Sequence, residues 1–352
     1  MSERMKFEKN IQVYDKTISS QSKTFVIAEA GVNHNGDMEI AKKIIDAAVE
    51  AGADAIKFQM FKTKNLILHN VEKAPYQKKT TEKNENQYEM LKGLELTKRQ
   101  NQLLIDYCKE KKIIFLSTPF EKNSLDELDE LDVPAFKVSA TDLTNIQFLK
   151  QVAQKGKPIF LSAGMCYLEE VELALRAISA INPKVVLLQC TSNYPIQNSE
   201  ANIRVINTFQ TKFDMLIGYS DHSQGIGAAP YAVALGAKVI EKHLTLDKNM
   251  HGPDHKASIT PDELRQLICD IRRVEQYLGD GLKMPSQSEQ MTRKSLQKCF
   301  VAAKKIKRGG FFTDDNIVAK RTNGEGISAL YFDSIVGKRA EKDYEENEII
   351  LY

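Results

Sequence analysis

Short apolar runs recur along the first 245 positions, each about five residues long and rich in β-branched side chains. They are Phe25–Ala30, Ala55–Phe61, Ile113–Thr118, Ala135–Ala140, Ile159–Gly164, Val185–Thr191, Leu216–His222 and Val239–Leu244. Continuous apolar runs of this length suit strands buried on both faces, the habit of parallel sheets. Segments with helical periodicity lie between most of them: Ala41–Ala51 closed by Gly52, Arg99–Lys111, Leu168–Ile181, and Ala228–Leu235 closed by Gly236. Six of the seven start-to-start intervals fall near 22 to 31 residues, the size of a βα unit. The exception, from the second run to the third, holds an extra polar stretch, Lys62–Leu94. Eight such units predict a TIM (β/α)8 barrel rather than an open doubly wound sheet.

A Gly/Pro/His loop, Asp247–Ser258, follows the eighth run. A helix is predicted over Pro261–Leu278, with Thr260 as its N-cap and Pro261 at the first position. Gly279-Asp280-Gly281 breaks it, and the polar stretch that follows reads as a linker. The tail from Ser295 to Tyr352 has short strand-like runs separated by turns, a small β-rich domain with a thin core of its own. The reading is therefore a barrel over residues 1–282, a linker over 283–294 and a second domain over 295–352.

Composition narrows the function without naming it. Lys and Arg number 49 against 47 Asp and Glu, a net charge of +2 over 352 residues. That balance gives no general pull toward nucleic acid or an anionic membrane. No basic stripe with interleaved aromatics occurs, so no nucleic-acid partner is expected. Five scattered cysteines with no CxxC argue against a disulfide framework or zinc ribbon and fit a reducing compartment. Met1–Ser20 has no apolar h-region, and no apolar run approaches 18 residues, so a cytoplasmic protein without a membrane span is expected.

In TIM barrels the chemistry sits where the C-terminal ends of the strands meet the following loops. The polar residues there are Glu29, Lys57 with Gln59, Thr118, Lys137 with Ser139 and Asp142, Ser162, Gln189 with Thr191 to Tyr194, Ser220 to His222, and Glu241 to His243. Two lysines among hydroxyls and amides make a site for a phosphate and a carboxylate. Two imidazoles on neighbouring strands near acids make a divalent-metal site with open positions. Singly, each has a plainer reading: a lysine whose stem lies along apolar surface, or a hydrogen-bonded core histidine. The recurrence at matching strand ends is what favours a site. Ser220-Asp221-His222 is no protease triad, because triad members come from separate segments. Gly31-x-x-x-x-Gly36 is no P-loop, since Asp37 and Met38 stand where Lys and Ser or Thr are required.

Together these residues resemble the sialic acid synthase family. AEAGVNHNGD at Ala28–Asp37, KFQMFK at Lys57–Lys62, FLSTPF at Phe115–Phe120, GYSDHS at Gly218–Ser223, EKHLTLDK at Glu241–Lys248 and GPDHKAS at Gly252–Ser258 carry the likeness, which spans nearly the whole chain. RGGFFTDDNIVAKR at Arg308–Arg321 resembles the antifreeze-like (β-clip) domain of the same enzymes. The resemblance implies condensation of phosphoenolpyruvate with a 2-acetamido-mannose-type sugar to a nine-carbon acid, with release of phosphate. It implies a divalent metal on His222 and His243, most often Mn2+, with Mg2+ and Co2+ as alternatives. It places phosphoenolpyruvate at Lys57, Thr118, Lys137, Ser162, Ser192 and Ser220, with Ser139 or Thr141 supplying the hydroxyl that Ala140 lacks, and the sugar at Gln59, Tyr194 and Asp254. Glu29 and Asp142 become the acidic catalytic candidates. Arg321 becomes an arginine lent to the neighbouring site of a domain-swapped homodimer.

Two departures stand out. Strand four reads Lys137-Val138-Ser139-Ala140-Thr141-Asp142 where the family has Lys-x-x-Ser-Gly-Glu, so a hydroxyl is lost at Ala140 and a methylene at Asp142. The family's Arg-Pro-Gly-Asn-Gly is Arg321-Thr322-Asn323-Gly324 here. Among products, N-acetylneuraminate is favoured, with N,N'-diacetyllegionaminate as the alternative, because Glu72–Leu96 resembles the branch holding both. Pseudaminate is least favoured, since its synthases depart from GPDHKAS. An inactive sugar-binding homologue and a metal-dependent aldolase complete the alternatives.

Overall fold

The computed structural model describes residues 5–74, 77–81 and 85–351. The chain divides into two compact units, residues 1–279 and 280–352.

The first unit opens with a hairpin, β1 (Asn10–Val13) and β2 (Lys16–Ser19), paired through Ile11 opposite Ile18. Eight parallel strands then close into the expected barrel: β3 (Phe25–Gly31), β4 (Ala55–Met60), β5 (Ile114–Pro119), β6 (Phe136–Val138), β7 (Ile159–Ser162), β8 (Val185–Cys190), β9 (Leu216–Asp221) and β10 (Val239–His243). Each is bonded to its sequence neighbour, and β10 closes on β3 with His243 beside Glu29.

The period-two alternation of a strand explains how one apolar run both builds a core and carries a site. One parity of each strand, such as Val26, Ala28 and Ala30 or Ile56, Phe58 and Met60, packs outward against the helices. The other parity faces the lumen. Its lower members, Phe25, Ile27, Ala55, Leu116, Phe160, Val186, Leu188 and Val239, join Ile11, Val13 and Ile18 of the hairpin in one apolar cluster. The hairpin thereby seals the N-terminal mouth of the barrel. Two residues further along the same parity, the lumen turns polar: Glu29, Lys57, Thr118, Lys137, Ser162, Ser220 and Glu241.

Local sequence terminates the helices as expected. Asp37 caps Met38–Ala51 by accepting from the amides of Glu39 and Ile40, and Gly52 ends that helix at φ 85°. Thr260 and Glu263 form a reciprocal capping box at Pro261–Leu278. The P-loop-like Gly31–Gly36 segment is thus the end of a strand and a turn that lead into the capped helix.

The second unit holds an antiparallel pair, β11 (Lys298–Ala302) and β12 (Ile317–Arg321), extended by single bridges such as Ile306 with Tyr344 and Phe311 with Arg339. Its core is small and includes Phe300, Phe312, Ile317, Ile335, Tyr344 and Ile350. The stretch read as a linker differs from that reading. Most of it is a helix, Gln287–Leu296, started by a Ser286–Glu289 capping box and grouped with the second unit. None of its residues is buried. Without an apolar stripe, its cap was its one sequence signal.

Candidate active site

Twelve of the predicted residues meet at the C-terminal end of the lumen: Glu29, Lys57, Gln59, Thr118, Lys137, Ser139, Ser162, Ser192, Tyr194, Ser220, His222 and His243. They line an inner chamber of about 50 Å³. Above it opens an outer chamber of about 490 Å³, which shares Gln59, Ser139, Ser192, Tyr194 and His243 with the inner one and adds Asp254. Gly164 lets the walls of the inner chamber close. A Cβ there would meet Ser192 Oγ at 2.2 Å and Cys190 Sγ at 2.7 Å.

The inner chamber is built on interlocked charges. Lys57 Nζ lies 2.7 Å from Glu29 Oε2 and 3.8 Å from Glu241 Oε2, and it donates to Thr118 Oγ1 at 2.9 Å. Lys137 Nζ donates to Ser162 Oγ at 2.7 Å and lies 3.8 Å from Glu241 Oε1, which also accepts from Ser220 Oγ at 2.8 Å. All four charged groups are buried. Burial raises the Glu29 carboxyl to about 7, more than Lys57 lowers it, and the Glu241 charge adds to the rise. For Glu241 burial acts upward too, but Lys137 and Lys57 together outweigh it, and its pKa falls. Glu241 is therefore the fixed negative charge between two lysines, and Glu29 is the carboxyl whose hold on a proton burial strengthens. Burial also lowers the Lys137 pKa.

Glu241 was in the strand-end inventory but received no role. The missed signal is parity. Glu241 and His243 are two apart on β10, so both face the lumen, whereas Lys242 does not. Lys242 instead forms a buried ion pair with Asp221 at 3.0 Å and donates to the Ser223 carbonyl at 2.5 Å. Asp221 and Lys242 stand side by side in the β9–β10 register, each one residue before a histidine. The pair ties together the two strands that carry His222 and His243. Lys242→Met is expected to cost about 3–5 kcal/mol, because it strands a buried Asp221 charge. Chemical denaturation measures that loss, and a change within 1 kcal/mol would refute the tie.

The two histidines suit a divalent cation. His222 Nδ1 lies 2.7 Å from the Thr191 carbonyl oxygen, which only accepts, so Nδ1 carries the hydrogen and Nε2 keeps its lone pair. His243 Nδ1 is buried without a hydrogen-bond partner among the described residues. Their rings are 5.5 Å apart, with the Tyr194 ring 4.1 Å from one and 5.3 Å from the other. Burial holds the His222 imidazole down to about 4, and burial with the neighbouring His222 holds His243 well below its usual value. Neutral imidazole is the form that ligates metal. Among the described residues no three His, Cys, Asp or Glu side chains converge as a metal cluster. His222 and His243 are the two side chains that could hold such a cation.

Three residues differ from the sequence expectation or stand apart. Asp142 lines neither chamber. It ends a 3-10 turn, Ala140–Asp142, and its carboxylate accepts from Thr141 Oγ1 at 3.3 Å, while burial raises its pKa. Beside Ala140, the hydroxyl that borders the inner chamber is that of Ser139; Thr141 reaches only the outer one. Arg321 is exposed at the end of β12 in the second unit, opposite Lys298. Asp254 is buried in the outer chamber, 3.9 Å from His243 Nδ1, and burial raises its pKa to about 6.

The sequence profile of the NeuB family matches residues 44–283, and that of the SAF domain matches 297–352. The chain belongs to the NeuB family. It is 46% identical over 331 residues to the N,N'-diacetyllegionaminic acid synthase of Campylobacter jejuni, covering 93% of this chain and 99% of that protein. It is 36% identical over 335 residues to the human N-acetylneuraminate-9-phosphate synthase, covering 95% and 93%. A crystal structure of N-acetylneuraminic acid synthetase from Leptospira borgpetersenii, in complex with citrate, superposes with a TM-score of 0.73 at 35% identity, covering 83% of this chain and 98% of that one. As a NeuB-family chain, this protein places its polar lumen residues within or beside the matched segment. No helix among the described residues is long and apolar enough to cross a membrane.

Proposed function

We propose that this NeuB-family protein condenses phosphoenolpyruvate with 2,4-diacetamido-2,4,6-trideoxymannose, forming N,N'-diacetyllegionaminate and phosphate. The observation that carries the reading is the division of one site into two chambers of different chemistry. The inner chamber concentrates lysines and hydroxyls, which suit phosphate and carboxylate. The outer chamber has a mainly apolar far wall, including Val32, Phe61, Leu66, Met90 and Phe120, which suits a deoxysugar with acetyl methyls. The higher identity to a diacetyllegionaminic acid synthase than to the human neuraminate-phosphate synthase favours the same sugar. The sequence-based preference for neuraminate gives way on both grounds.

Each residue then has a task in the reaction. Lys57 and Lys137 hold the phosphate and carboxylate of phosphoenolpyruvate, with the Thr118 and Ser162 hydroxyls donating and Ser220 bordering them. C3 of phosphoenolpyruvate bonds to the sugar's C1 as the C1=O π bond opens and its oxygen takes a proton, water adds at C2 and gives up a proton, and the C2–O bond breaks with phosphate leaving. A divalent cation at His222 and His243, Mn2+ by family resemblance, supplies Lewis acidity to the aldehyde oxygen when bound. Glu29 takes a proton from the attacking water, a role its near-neutral pKa suits. Gln59 donates to Glu29 Oε1 at 3.2 Å and orients it. Asp254 accepts from sugar hydroxyls.

Arg321 of one protomer completes the sugar site of its partner in a homodimer. Arg321→Ala is expected to raise the sugar KM about tenfold, the loss of one charged hydrogen bond, and to leave the phosphoenolpyruvate KM unchanged. An unchanged sugar KM would remove Arg321 from the site.

The deciding experiment is phosphate release from phosphoenolpyruvate with Mn2+, run separately with the diacetamido sugar and with N-acetylmannosamine. Release that prefers the diacetamido sugar supports the proposal. Preference for N-acetylmannosamine restores the neuraminate reading. Release with neither sugar from folded, metal-loaded protein overturns both.

A further inference from the structure

The polar insertion between β4 and β5 contributes part of the far wall of the outer chamber. It folds as three short helices, Thr63–Leu66, Gln77–Thr80 and Gln87–Lys92. Leu66, Ile67 and Met90 face the chamber from it, together with two amides, Gln77 and Gln87. Pro75, Tyr76 and Glu82–Asn84 of this segment lie outside the described residues.

The orientation of the two amides is set by a chain of donors. The Ala74 backbone N–H donates to Gln77 Oε1 at 2.9 Å, so that atom must be the oxygen. Gln87 Nε2 donates to the same oxygen at 3.1 Å. Gln87 is thereby fixed with its nitrogen toward Gln77. Among the described residues nothing donates to Gln87 Oε1, which is left as an acceptor on a residue that lines the chamber.

We infer that Gln87, held by Gln77 and flanked by Leu66, Ile67 and Met90, selects the sugar at C4 and C6. This rests on the reading under Proposed function and names the residues that enforce it. Gln87 Oε1 accepts the N–H of a C4 acetamido group. The three apolar side chains take its methyl and the C6 methyl. A sugar with a C6 hydroxyl would place that group against Leu66, Ile67 or Met90 without a partner. A hydrophobic pocket rejects an added hydroxyl by about 10- to 100-fold, and that is the discrimination expected here.

The test measures kcat/KM for the diacetamido sugar and for N-acetylmannosamine in the parent enzyme, in Gln87→Leu and in Leu66→Gln. Gln87→Leu keeps the side-chain bulk and removes the acceptor. It is expected to lower kcat/KM for the diacetamido sugar about tenfold through KM, with the phosphoenolpyruvate constants unchanged. Leu66→Gln offers the C6 hydroxyl a partner and is expected to raise relative use of N-acetylmannosamine about tenfold. A merely structural role would lower both sugars by one factor and leave their ratio fixed, and that result in both variants overturns the inference. A parent enzyme that prefers N-acetylmannosamine overturns the choice of sugar and the Gln87 assignment with it. A parent that prefers the diacetamido sugar, with an unmoved ratio in both variants, overturns the Gln87 assignment alone.

Discussion

His222→Ala and His243→Ala are each expected to lower kcat by about three orders of magnitude, the several kcal/mol that a Lewis acid contributes to such a step. Both variants are expected to stay folded, because neither imidazole belongs to the apolar clusters of the barrel. The parent enzyme should lose activity on chelation and regain it with Mn2+, and the variants should not regain it. Mn2+ binding followed by electron paramagnetic resonance separates the two parts of the claim, since each variant should also lose metal affinity. Undiminished turnover by thoroughly chelated parent enzyme would sink the assignment of both histidines.

Lys137→Met is expected to lower kcat/KM for phosphoenolpyruvate by about 10²–10³, the usual loss when a preorganised donor to a developing charge is removed. Met keeps the apolar stem and deletes the ammonium. The sugar KM should hardly move, because Lys137 borders the inner chamber and not the outer one. The same substitution takes from Glu241 one of its two cations, so stability should fall as well. Adding Glu241→Gln neutralises the stranded carboxylate and should restore stability without restoring activity. Denaturation midpoints and phosphate-release rates on the single and double variants check this. A double variant that recovered turnover would mean that Lys137 serves only to balance Glu241.

The barrel was legible because strands buried on both faces announce themselves as apolar runs, and eight in a row leave few architectures. Lys57 and Lys137 were legible because each interrupts such a run. What could not be read was which face an interruption points to once a strand ends. By residue count Asp142 belongs at the tip of strand four, but β6 stops at Val138 and the backbone turns into a 3-10 helix at Ala140. Strand parity no longer applies there, and the carboxylate bonds within its own turn. The β1–β2 hairpin went unseen for the opposite reason. Its alternation rests on Ile11, Val13 and Ile18 alone, too few residues to stand out in a charged N-terminus. The far wall of the outer chamber is the hardest case. It is assembled from short helices in a stretch that reads as polar, and only the folded chain turns Leu66 and Met90 to the same side.

The sealed N-terminal mouth leaves the site to be entered from the C-terminal end of the barrel. The two lysines lie at its floor, and the sugar would lie nearer the rim. On the placement proposed above, a sugar seated first would block the path of phosphoenolpyruvate, and ordered addition, phosphoenolpyruvate before sugar, is the expected result. Initial-rate patterns with each substrate varied against the other read this directly, and random addition would contradict it. On the way out the order reverses. Phosphate, formed at the floor, would wait for the nine-carbon acid above it to depart, so the acid rather than phosphate is expected to be the stronger product inhibitor.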